Sequence, residues 1–207
     1  MAYLVLVRHG QSEWNKKGLW TGLVNAPLSP EGEREAAKAA DSIKDIPFNV
    51  AFTSKLVRAH QTLDIILKIL QKSVPITENE ALNERNYGDL TGKNKWKIKE
   101  QYGDEQFLKW RRGWDVAIPN GETLKDVYNR VVPNYLEQIE PIVKAGKNVL
   151  VVAHGNSIRA LIKYLEHISD EEVVRVELGT GEIYIYHIDN RGNVIAKEVR
   201  ARNEKPA

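Results

Sequence analysis

Cysteine is absent from the 207 residues, which excludes disulfides, thiolate nucleophiles and cysteine-ligated metal centres. Long apolar runs are absent too. The one nearest the start, Leu4 to Val7, meets Arg8 at once, too short by roughly a factor of two for a membrane span or the core of a secretory signal. No charge of one sign dominates: the formal net charge is +2, so the whole-molecule field argues for neither nucleic acid nor a membrane surface as partner. A cytoplasmic setting is expected, in keeping with the missing cysteines.

What is present fits an ordinary globular domain, 42% hydrophobic and 28% charged, and the length suits one domain over 1–207 with a large core. Two stretches organise it. Leu4-Val5-Leu6-Val7 ends in Arg8-His9-Gly10, and Val149-Leu150-Val151-Val152-Ala153 ends in His154-Gly155. Each reads as a strand buried on both faces that delivers an imidazole and a flexible turn at its carboxyl end, where open α/β sheets place their ligands. Adjacent and parallel, they bring His9 and His154 over one pocket.

Strand and helix alternate over most of the length, which predicts a three-layer α/β/α sandwich with a mostly parallel central sheet and an edge hairpin. Residues 11–28 show no period and read as a loop lining the site. Ser29-Pro30-Glu31 starts a helix with an N-cap, a first-turn proline and an acid, burying Ala36, Ala37, Ala40 and Ile43. Val50-Ala51-Phe52 is a short strand, and Thr53-Ser54 is expected to cap a helix through about Gln71 that carries Arg58 in its first turn. Residues 80–120, with a weak helical stripe and many lysines and arginines, read as a cap over the site. The longest helix runs from Gly121-Glu122-Thr123 to about Lys144, bent at Pro133. Ser169 and Glu172 form a capping box, residues 182–189 and 194–199 a hairpin around Asn190-Arg191-Gly192-Asn193, and the tail beyond Arg200 frays. His60 and His187, read as strand positions, and the helical His167 have no motif around them and receive no role.

The chemistry that suits these residues is phosphoryl transfer. A neutral imidazole is a competent nucleophile near pH 7, and arginines neutralise the equatorial oxygens bidentately. Arg8, Arg58 and His154 supply that setting for His9, and a carboxylate held off the arginines, such as Glu84, can shuttle a proton.

Leu-Val-Arg-His-Gly-Gln-Ser-Glu-Trp-Asn at residues 6–15 with its preceding strand resembles the signature of the histidine phosphatase superfamily. The likeness continues through Thr21-Gly22, Pro27-Leu28-Ser29, Thr53-Ser54, Arg58-Ala59, Leu82-Asn83-Glu84-Arg85 with Tyr87-Gly88, Asn94-Lys95, Tyr102-Gly103-Asp104, Trp110-Arg111-Arg112-Gly113 and Ala153-His154-Gly155-Asn156-Ser157. Within the superfamily the chain is similar to the cofactor-dependent phosphoglycerate mutases. The resemblance implies that His9 becomes phosphohistidine amid Arg8, Arg58 and His154, with Glu84 as proton donor and acceptor. It further implies phosphate and substrate contacts at Asn15, Thr21, Gly22, Gly155 and Asn156. Arg85, Tyr87, Lys95, Arg111 and Arg112 match substrate-binding positions. The implied reaction, of glycolysis and gluconeogenesis, interconverts 3-phosphoglycerate and 2-phosphoglycerate, primed by 2,3-bisphosphoglycerate and without metal. Small phosphorylated three-carbon acids are then the partners, and a homo-oligomer is compatible because family members differ in assembly.

The alternative is a phosphatase of the same superfamily acting on small phosphate esters. A dead-site phosphate sensor fails because His9, Arg8, Arg58, Glu84 and His154 are all in place. The larger bacterial and animal mutases carry an extra stretch where this chain has only Trp114 to Asn120, and their closing tail is longer. These departures predict a more open site and a higher ratio of phosphatase to mutase activity than in longer relatives.

Overall fold

The computed structural model describes residues 1–202. Six strands form one sheet: β1 (Ala2–Arg8), β2 (Val50–Thr53), β3 (Ile76–Glu78), β4 (Val149–Ala153), β5 (Ile183–Ile188) and β6 (Val194–Arg200), in the order β3-β2-β4-β1-β5-β6. The first four are mutually parallel, while β5 runs antiparallel to β1 and closes the edge hairpin with β6. The expected sheet and hairpin are therefore both present.

Period-two alternation divides two cores across this sheet. Leu4 and Leu6 join Val149 and Val151 beneath α5 (Leu124–Asn134) and α7 (Gly155–Glu166); Val5 and Val7 join Leu150 and Val152 beneath α2 (Pro30–Ser42) and α3 (Val57–Ile69). A parallel strand covered on both faces has no room for polar side chains, which is why β1 and β4 read as unbroken aliphatic runs. Ser29 caps α2 as expected, although Ala39 rather than Ala37 completes its buried face.

Several local expectations are corrected. The loop after His9 contains the one-turn helix α1 (Glu13–Lys16), closed by a capping box between Ser12 and Asn15. Leu56, not Thr53 or Ser54, is the N-cap of α3, and Ser54 Oγ accepts from the Leu56 N–H just ahead of the helix. His60 lies in α3, not on a strand, and His167 ends α7 in the left-handed conformation. The long helix is not simply bent at Pro133. It passes from α5 into a π-helical turn at Tyr135–Ile139 and then α6 (Glu140–Lys144). Pro133 and Pro141 bracket that turn and each removes a backbone donor. The short α8 (Asp170–Val173) has the expected capping box. Beyond it, Arg200 is held by Asp45 and the Ser42 carbonyl; the rest of the tail expectation falls on residues 203–207, outside the described residues.

Residues 95–112 form α4 (Lys95–Arg112), broken at Gly103, whose φ of 79° favours glycine. Its inner face has a small core of its own, Ile98 and Phe107 with Trp20, Leu90 and Ile118. This cluster is separate from the two cores of the sheet.

Candidate active site

Parallel pairing sets Arg8 opposite Ala153, so the residues that follow, His9 and His154, leave the sheet side by side. Their ring centroids are 4.9 Å apart. Glycine permits this exit: a Cβ on Gly10 would stand 2.2 Å from the Gly32 carbonyl oxygen, and one on Gly32 2.1 Å from that of Gln11. The loop after His9 is thus pressed against the first turn of α2.

His9 Nδ1 lies 2.6 Å from the Gly10 carbonyl. A carbonyl only accepts, so Nδ1 carries the proton and Nε2 keeps its lone pair. Arg58 Nε donates to that lone pair at 3.2 Å, while its other two nitrogens donate to the carbonyls of Val24 and Gly22. Burial, with the charges of Arg58 and Arg8, holds the His9 imidazole well below the usual histidine range, so it is neutral at pH 7. His154 is lowered likewise by burial, Arg58, His9 and Arg8. Its Nε2 meets Ser54 Oγ at 2.7 Å. Arg58 is lowered to about 10 by burial and remains charged at neutral pH.

Glu84 stands beyond the histidines on the loop between β3 and α4. Its Oε1 accepts from the Arg85 N–H at 2.8 Å, the Asn156 N–H at 3.3 Å and Asn156 Nδ2 at 2.9 Å. All three donors are amide N–H groups. Asn156 Nδ2 also donates to Tyr87 Oη at 2.8 Å.

A cleft opens over this group, lined among others by Arg8, Asn15, Glu84, Tyr87, Lys95, Arg111, Arg112, Gly155 and Asn156. The break at Gly103 lets Lys95, from the first limb of α4, and Arg111, from the second, reach one cleft. Lys95 is lowered to about 8 by burial and by the charges of Arg111 and Arg8. Arg112 pairs with Glu177 across the rim.

Not every residue singled out in the sequence reaches the cleft wall. His9, Arg58 and His154 are buried beside Arg8 rather than on the wall. Thr21 and Gly22 lie off it, Gly22 serving Arg58 through its carbonyl. Arg85 also lies off the wall: it is fully buried, donates to the Glu122 carbonyl and faces the Tyr87 ring at 5.2 Å. Two arginines were missed. Arg130 donates to the carbonyls of Ala81, Asn83 and Glu84 and pairs with Glu122, fixing the Glu84 loop. Arg159 lines the cleft from α7. Nothing in the spacing marks either residue.

Among the described residues no group of three or more His, Asp or Glu side chains could hold a metal ion, and no helix is long and apolar enough to cross a membrane.

A buried histidine pair thus stands at the ends of two parallel strands, with Arg58 hydrogen-bonded to His9 and Arg8 nearby. The model of the histidine phosphatase superfamily, branch 1, matches residues 4–199, and the chain belongs to that family. Among curated relatives, the 2,3-bisphosphoglycerate-dependent phosphoglycerate mutase of Cytophaga hutchinsonii is 51% identical over 92% of this chain and 90% of its own length. That of Parvibaculum lavamentivorans is 47% identical over 97% of each. Among solved structures, Bacillus stearothermophilus YhfR shares the fold with a TM-score of 0.82 at 24% identity, covering 99% of this chain and 98% of its own. The α-ribazole phosphatase of Shigella flexneri superposes with a TM-score of 0.76 at 25% identity, over 98% and 96%. Both mutase relatives are matched over nine-tenths or more of their own length.

Proposed function

We propose that this chain interconverts 3-phosphoglycerate and 2-phosphoglycerate through phospho-His9, as a 2,3-bisphosphoglycerate-dependent phosphoglycerate mutase working in the cytoplasm. The observation that carries this reading is a cleft beside the buried histidines whose wall joins Arg8 and Glu84 to cations from the cap, Lys95, Arg111 and Arg112. Simple ester hydrolysis needs only the former. A substrate with a carboxylate and a second phosphate needs both.

The donor set suits such a ligand. Among the described residues Arg8 Nε is buried with no hydrogen-bond partner, a donor that a bound anion would satisfy. When bound, the bisphosphate supplies the phosphoryl group that primes His9. Nε2 of His9 attacks phosphorus along its in-plane lone pair, and Arg58, which holds that lone pair in the free protein, turns its N–H groups onto the phosphoryl oxygens. Arg8 and His154 share the remaining charge. Glu84 Oε2 gives a proton to the departing oxygen and takes one from the hydroxyl that attacks in the reverse step. Lys95, Arg111 and Arg112 hold the far end while the acid turns over between transfers. Tyr87, Asn15, Gly155 and Asn156 complete the wall.

Conversion of 3-phosphoglycerate is measured with chelator present, with and without trace 2,3-bisphosphoglycerate, while free phosphate is followed in the same tube. Isomerisation stimulated by the bisphosphate with little phosphate released is the expected result. Phosphate release without isomerisation would make the chain a phosphatase, and loss of activity to chelator would end the metal-free mechanism.

A further inference from the structure

Asn156 stands between three groups. Its Nδ2 donates to Glu84 and to Tyr87, and its Oδ1 accepts from Arg159 NH1 at 3.0 Å. An amide can turn over and exchange its oxygen and nitrogen at little steric cost. Arg159 forbids that exchange, because a guanidinium has donors only: Oδ1 must face Arg159, so Nδ2 must face Glu84. Arg159 itself is 5% exposed and cannot swing away. Its NH2 donates to the carbonyls of Arg112 at 2.9 Å and Val173 at 2.8 Å, the last residues of α4 and α8. Both carbonyls end helices, where a cation is well placed, and that of Val173 also accepts from the Val176 N–H at 3.1 Å.

We propose that Arg159 is a positioning residue for proton transfer: it locks the Asn156 amide so that Nδ2 faces Glu84, and the carbonyl of Arg112 holds the lock in place. With the lock removed, Oδ1 loses its donor and the amide is held only through Nδ2, free to turn away from Glu84. The carboxylate then leaves the place from which it serves the reacting oxygen. Arg159 acts through Asn156, without touching the transferring group.

The inference rests on Glu84 as the proton-transfer group of the proposed reaction, and its test reads that step alone. Single-turnover phosphorylation of His9 is timed with two donors: 2,3-bisphosphoglycerate, whose leaving alkoxide needs a proton, and p-nitrophenyl phosphate, whose phenolate leaves without one. Arg159→Met is expected to slow the first roughly 30-fold and the second less than threefold, the pattern of Glu84→Gln on a smaller scale. Arg159→Lys, with charge but no planar fork, should recover less than half of the loss on a logarithmic scale. In an Asn156→Ala background the Arg159→Met change should add nothing selective. Equal losses with both donors, full rescue by lysine, or an undiminished selective loss without Asn156 each overturns the proposal. Arg159→Lys and Asn156→Ala carry the test if Arg159→Met does not fold. If Glu84→Gln itself fails to discriminate the donors, the reading of Glu84 falls instead, and isomerisation in the wild type remains a separate question.

Discussion

The nucleophile's floor and the cap over it are held by different means. His9 and His154 are fixed by strand pairing, with cores on both faces of the sheet and glycines that let backbone meet backbone. The cap rests on five buried side chains, on backbone hydrogen bonds of Gly92, Lys93 and Lys95 to the loop at Gly18 and Trp20, and on a rim ion pair, and leaves Trp96, Tyr102 and Leu108 nearly half exposed. In the proposed reaction the floor makes and breaks the bond to phosphorus, while the cap selects the acid and keeps water out.

The largest effect should come from the floor. His9→Ala is expected to lower kcat by roughly 10⁴-fold or more and to abolish phosphate labelling of the protein, with the fold intact by circular dichroism. Labelling of another residue at the wild-type rate would remove His9 from its role.

Lys95→Met, in the cap, should raise KM for 3-phosphoglycerate about 100-fold with a smaller change in kcat. The same lysine sets a pH limb. Because it is lowered to about 8, its charge is present below that pH and lost above it, so kcat/KM should fall as pH rises through 8. Lys95→Arg should move that limb to higher pH. A limb unmoved by this change would separate Lys95 from substrate binding.

Phe107→Ala removes a ring from the cap's own core, which costs about 3–5 kcal/mol when such a side chain is fully buried. If cap and floor are independent, His9 should still be phosphorylated at close to the normal rate. The ratio of phosphatase to mutase activity should rise about tenfold as water enters. Parallel loss of both activities would show the two regions to be one unit.

The smallest effect concerns stability. His9 and His154 are held neutral in the folded state, well below 6.5, whereas in the unfolded chain they take up protons below that value. The unfolded state therefore binds more protons, and stability should decline as pH falls below about 6.5. Each histidine contributes up to ~1.4 kcal/mol per pH unit until its folded form also titrates. Urea titrations of the protein and of His154→Gln compare the two slopes, and the variant should show the shallower one.

The floor was legible in the sequence for the reason that it is rigid. An aliphatic run ending in a turn is a local pattern, and two such runs suffice to place His9 beside His154. Ser29-Pro30 and Ser169 with Glu172 are likewise local and marked their helices correctly. Contacts that span the chain leave no such trace. Arg130 looks like a wet charge on an amphipathic helix, yet its partners lie 46 to 49 residues earlier. Ser54 has the look of a cap because its other partner, His154, is 100 residues away. Pro133 announced a disturbance, but a π turn depends on how the whole helix must seat between two prolines.

The pairing of β1 with β4 turns activity into a gauge of chain alignment. A slip of one residue would send His9 and His154 to opposite faces of the sheet, leaving a protein with much of its helix and strand content and no working site. Return of phosphohistidine formation during refolding therefore reports when those two strands, 141 residues apart at Arg8 and Val149, have found their native alignment, a step that spectroscopy of secondary structure alone would pass over.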